Sequence, residues 1–107
     1  MKISYKTKKL EKLLSDFSAL RKKYGEEIAR KIDQRLSELA AADNLSGLPR
    51  SARAHPLQPK SEARFSVDLS KHKHPTRLLF YADEEFDLED YSSIKAVTIE
   101  SVSKTHS

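Results

Sequence analysis

The apolar side chains change period halfway along the chain, and this change restricts the fold more than any other feature. Leu10, Leu13, Leu14, Phe17 and Leu20 recur at helical spacings, and so do Ile28, Ile32, Leu36 and Leu39. Intervals of three and four residues place each set on one helix face. From residue 64 onward the interval becomes two. Phe65, Val67 and Leu69 alternate with Arg64, Ser66 and Asp68, and Val97 and Ile99 alternate likewise, with Val102 expected inward as well. Between them, residues 76–82 carry the apolar run Leu78, Leu79, Phe80 and Tyr81, as a central strand requires. A helical half followed by a stranded half predicts an α+β domain with helices on one face of a sheet.

Local signals place the boundaries. Residues 2–6 alternate as a short first strand, and Thr7 can cap the helix that follows. The Ser15-Asp16 pair either interrupts that helix or caps a restart. Gly25 marks a break, and Glu26 and Glu27 open a second helix at its positive dipole end. This helix ends near Ala42, where Asp43-Asn44 and Ser46-Gly47-Leu48-Pro49 form stop and turn signals. A strand edged by Pro56 is expected over 53–57, and a turn over 70–75. The expected order is β-α-α-β-β-β: an N-terminal strand and a helical hairpin packed on an antiparallel sheet. With 107 residues, one domain spans 1–107.

Composition removes several kinds of chemistry. There is no cysteine, which excludes disulfide scaffolds, Cys-ligated zinc, iron–sulfur clusters and thiol catalysis. No apolar run approaches the ~18 residues of a membrane-spanning helix, and the start Met1-Lys2-Ile3-Ser4-Tyr5-Lys6 lacks the apolar core of a secretory signal. We therefore expect a cytoplasmic protein. With two glycines there is neither a G-x-G-x-x-G fingerprint nor a phosphate-binding loop of the G-x-x-x-x-G-K type, and no cofactor is expected.

Charge is unevenly distributed. Residues 83–90 hold six of the sixteen acids; without them twenty basic side chains face ten acidic ones, a net of +10. The basic residues gather at 6–12, 21–23, 50–64 and 71–77. The first of these reads as a solvated surface. The stretch 50–77 mixes cations, histidines and prolines between strand-like segments, and there a phosphate-rich partner is the better reading. The acidic run reads as an exposed loop, with internal mimicry of phosphate as the alternative.

Four histidines frame the chemistry. His72 and His74 have the His-x-His spacing of a zinc site, but they lie in a turn among lysines that oppose a dication, so no metal site is expected. His55 and His106 each fall at a strand end. Imidazole exchanges protons near neutral pH, and guanidinium grips phosphate with two parallel N–H groups. His55, His106, Arg64, Arg77 and Lys60 are together the components of metal-free RNA cleavage. A base takes the 2′-hydroxyl proton, cations stabilise the pentavalent phosphate, and an acid protonates the departing 5′-oxygen.

Several segments, in order, resemble the RelE/ParE toxin superfamily and its HigB-like branch. They are Tyr5-Lys6-Thr7-Lys8-Lys9-Leu10-Glu11, Ile32-Asp33-Gln34-Arg35-Leu36 with Leu39-Ala40-Ala41-Ala42, and Asn44-Leu45 leading to Leu48-Pro49. Most specific are Ala54-His55-Pro56-Leu57, Arg64-Phe65-Ser66-Val67-Asp68-Leu69 and Arg77-Leu78-Leu79-Phe80. Similar proteins read roughly His-x-Leu, Gly-x-Trp-Ser-Val and Tyr-Arg-Leu-x-Phe. The resemblance implies the toxin of a type II toxin–antitoxin pair, which cuts messenger RNA at the ribosome and is silenced by a helix-turn-helix antitoxin. It implies His55, Arg64, Arg77 and His106 as catalytic residues. Arg50, Arg53, Lys60, Lys71, Lys73 and Lys104 are the expected RNA contacts. The tail departs from the branch, with Lys104-Thr105-His106 where Asp-Tyr-His is usual. The alternative is a non-catalytic toxin of the ParE kind, which binds gyrase, or a relic that only binds its antitoxin.

Overall fold

Thr7 is extended and its Oγ1 accepts the Leu10 N–H at 3.0 Å, which starts the first helix where the sequence places it. The computed structural model describes residues 1–71 and 75–104. Their elements are β1 (Lys2–Tyr5), α1 (Lys8–Leu14), α2 (Phe17–Tyr24), α3 (Glu26–Ala41), β2 (His55–Pro56), β3 (Arg64–Asp68), β4 (Thr76–Ala82) and β5 (Ala96–Lys104). Short 3-10 turns lie at Leu45–Gly47, Arg50–Ala52, Lys60–Glu62 and Tyr91–Ser93.

The class is α+β, with two departures from the expected architecture. The helical hairpin is a set of three helices, because Ser15 ends α1 and Asp16 caps a restart by accepting the Ala19 N–H. The restart shifts the helical phase, so Phe17, expected on the apolar stripe, is the one large hydrophobic side chain left exposed among the described residues. Gly25 then joins α2 to α3 alone, at φ +89°, a conformation glycine adopts without strain. The sheet is mixed, not antiparallel. Its order is β1-β5-β4-β3-β2, and β1 pairs with β5 in parallel while the other neighbours are antiparallel.

Strand β2 is shorter than expected. Arg53 closes its 3-10 turn in the left-handed region at φ +52°, so extended backbone begins only beyond it, and Pro56 supplies no N–H to the ladder. Strand β5 carries a bulge. Leu79 faces Ser101 and Phe80 faces Ile99, so Glu100 is the extra residue. The bulge explains why Val102 follows Ile99 on the inner face after three residues rather than two. Phe65, Val67, Leu78, Phe80, Val97 and Ile99 fill that face and share one core with Leu14, Leu20, Ala29, Ile32 and Leu39 of the helices. Phe65 stacks on Phe80 at 5.8 Å and meets Tyr91 edge-on at 5.3 Å. The Met1 ammonium donates to the carbonyls of Leu39, Ala40 and Ala42 at the negative end of α3. No helix among the described residues is long and apolar enough to cross a membrane.

The acidic run is tied down at its start. Thr98 Oγ1–H and the Glu84 N–H both donate to Asp83, holding its carboxyl below the usual range. The hydrogen bond from Arg30 does the same for Glu26. A depressed folded pKa contributes stability above the unfolded value and loses it as pH falls through the folded one. Melting temperature should therefore begin to fall below about pH 4.5, and less steeply in the Asp83→Asn, Glu26→Gln double variant. Identical acid slopes for the two proteins would contradict this.

Candidate functional site

Outward-facing residues of β3 and β4 run opposite to the core. The register pairs Arg64 with Tyr81, Ser66 with Leu79 and Asp68 with Arg77, and β2 sets His55 beside Ser66. The far end of this polar face opens into a cleft of about 830 Å³ where α3, the Arg50–Ala52 turn and the β3–β4 connection meet. Its lining includes Lys31, Arg35, Arg50, Arg53, Lys71 and Arg77, with Asp68 as its one acidic residue among the described lining. Six cations around one carboxylate make a site for an anion of several charges.

His55 is held at both ring nitrogens. Nδ1 lies 2.7 Å from the Arg53 carbonyl oxygen, which can only accept, so Nδ1 carries a proton. Nε2 lies 3.2 Å from the hydroxyl of the fully buried Ser66, and in the neutral ring it accepts from that hydroxyl. The two contacts fix the ring's orientation, with Nε2 directed at a rotatable hydroxyl.

Asp68 sits between two guanidinium groups. Its Oδ1 is 3.4 Å from Arg77 Nε and its Oδ2 is 3.4 Å from Arg53 Nε. Oδ1 and Arg77 Nε are both screened from solvent, yet neither forms a hydrogen bond.

Arg35 has a different role from the other cations. Its side chain is 5% exposed, and its three nitrogens donate to the Asp68 carbonyl at 2.9 Å, to Glu38 Oε1 at 2.8 Å and to the Ser51 carbonyl at 2.9 Å. It fastens α3 to β3 and to the turn that carries Arg50 and Arg53.

The structure divides the residues singled out from the sequence. It brings His55, Arg77, Arg50, Arg53 and Lys71 together. Arg64 lies elsewhere, in a two-pronged pair with Glu100 at 2.9 and 3.0 Å, with Glu62 at 3.8 Å. Its hydrogen bonds to the Glu100 carboxylate push its pKa above the ordinary arginine value. Arg64 and Lys60 line a second, smaller groove of about 340 Å³ with Phe65, Leu88, Glu89 and Tyr91. Lys104 is exposed at the end of β5, opposite Thr76, and does not line either space. His72, Lys73, His74 and His106 lie outside the described residues.

Sequence reasoning passed over Lys31, Arg35 and Asp68. For Arg35 a signal existed: three residues after Ile32 and four before Leu39, it falls inside the apolar stripe of α3, where a charge needs dedicated partners. Asp68 carried no such signal, since outward acids on strands are ordinary. No acid of the 83–90 run lines the large cleft. Comparison with known proteins gives no match to a family model, to a curated protein or to a solved structure.

Proposed function

We propose that this chain is a RelE-like toxin of the HigB kind, a metal-independent messenger-RNA endoribonuclease acting at the ribosome in the cytoplasm and silenced by a helix-turn-helix antitoxin. The observation that carries the reading is the assembly of His55 and Arg77 with Arg50, Arg53 and Lys71 in one cationic cleft. Phosphate contacts hold the RNA backbone, and Arg77 meets the charge that develops on the scissile phosphate. His55 Nε2 takes the 2′-hydroxyl proton. The 2′-oxygen then attacks phosphorus, the bond to the 5′-oxygen breaks, and a 2′,3′-cyclic phosphate remains. In this reading His106 supplies the proton for the departing oxygen, and Lys104 serves as a phosphate contact near the end of β5.

One observation favours a second reading, a ParE-like gyrase inhibitor or an antitoxin-binding relic. Arg64, which the resemblance makes catalytic, is occupied by Glu100 and Glu62 away from the cleft. Controlled induction in a bacterium, with mapping of RNA 5′ ends, separates the readings. The nuclease reading expects growth arrest with new 5′ ends inside reading frames, and RNA affinity that falls steeply with salt as counterions are released. Arrest without new ends favours gyrase inhibition, and normal growth favours the relic.

A further inference from the structure

Two arginine–carboxylate arrangements in this protein differ sharply in quality. Glu100 engages Arg64 with two parallel hydrogen bonds at 2.9 and 3.0 Å, the geometry of a settled ion pair. Asp68 stands between Arg53 and Arg77 at 3.4 Å from each, and Oδ1 and the facing Arg77 Nε remain without a hydrogen bond although both atoms are hidden from solvent. Buried polar atoms left in this condition are destabilising relative to a fully bonded arrangement. Both arginines line the cleft, so a better acceptor arriving there can bond them more completely.

We infer that Asp68 is an internal competitor for RNA phosphate: its carboxylate occupies the place of a phosphodiester between Arg53 and Arg77, and RNA must displace it to bind. The inference rests on the reading of the cleft as an RNA site and adds its regulation. A phosphodiester brings two unesterified oxygens of the same charge as the carboxylate, so the two anions exclude each other. A chain that also reaches Arg50 and Lys71 offsets the displacement through those added contacts. Arg53 links this exchange to the base, because its carbonyl is the acceptor that orients His55 Nδ1.

The test is fluorescence anisotropy with a short labelled single-stranded RNA at low salt. It uses the wild type, Asp68→Asn, Arg77→Ala, the Asp68→Asn/Arg77→Ala double variant, and Glu85→Gln as a measure of losing one exposed negative charge elsewhere. Asp68→Asn should bind at least about fivefold tighter than wild type, the lower end of ordinary coupling between two ligands of one protein. Glu85→Gln should gain clearly less. In the Arg77→Ala background the gain from Asp68→Asn should shrink, because only the competition for Arg53 remains. Asp68→Ser, which removes the same charge from a shorter side chain, should reproduce the tightening if Asp68→Asn folds poorly. Binding that is unchanged or weaker in both Asp68 variants, while Arg77→Ala still weakens it, overturns the competitor role and leaves the RNA cleft standing. If Arg77→Ala and wild type bind RNA equally, the cleft reading fails, and the proposal fails with it.

Discussion

Arg35→Ala should lower the free energy of unfolding by about 3–5 kcal/mol, the usual effect of removing one partner from a buried ion pair. The side chain serves three acceptors at once: the Asp68 carbonyl, the Ser51 carbonyl and Glu38. Alanine removes this donor from all three part-buried acceptors and leaves Glu38 only its bond from Gln34. Domains of this size are commonly stable by only ~5–15 kcal/mol, so the variant should be substantially unfolded at modest urea concentration. Arg35→Lys should recover little, because an ammonium point charge cannot span three acceptors arranged around a planar guanidinium. Urea titration followed by circular dichroism measures both. A loss under about 1 kcal/mol for Arg35→Ala would show that water replaces the bonds and that Arg35 is not the fastener described. The consequence reaches function, since the Arg50–Ala52 turn, and with it Arg50 and Arg53, is held in place through the Ser51 carbonyl.

His55→Ala should slow RNA cleavage by about 10²–10⁴-fold, the span typical for loss of a general acid or base. The ring is only half-buried and its two hydrogen bonds are to Arg53 and Ser66, so the fold should survive the change. Ser66→Ala removes the hydroxyl that shares Nε2 but leaves the Nδ1 anchor, so it should alter the rate much less. Measurement of single-turnover cleavage on ribosome-bound messenger, alongside melting curves, separates lost chemistry from lost folding. Full cleavage activity in His55→Ala would end the assignment of His55 as the general base, whereas no cleavage by the wild type would leave gyrase inhibition as the leading alternative.

Local order was readable in the sequence because its causes are local. The apolar stripe from Ile28 to Leu39, the Thr7 cap and the alternation around Phe65 and Val67 each depend on neighbours within a few residues, and each element formed near its expected place. The restart at Asp16 was one of two open readings, since capping and interruption use the same residues. Pairing across the chain was another matter. That β1 lies parallel to β5 depends on how three helices return the backbone, and the bulge at Glu100 depends on the fit of β5 against β4. The parallel pairing leaves no periodic trace in the sequence, and the bulge shows there only as the three-residue step from Ile99 to Val102. The basic character of 50–77 was likewise plain, but not which of its cations share a space. Arg64 and Arg77 look equivalent along the chain, each beginning or nearly beginning a strand. Tertiary structure turned one toward Glu100 and the other toward Asp68, because side chains at opposite ends of antiparallel strands meet different neighbours.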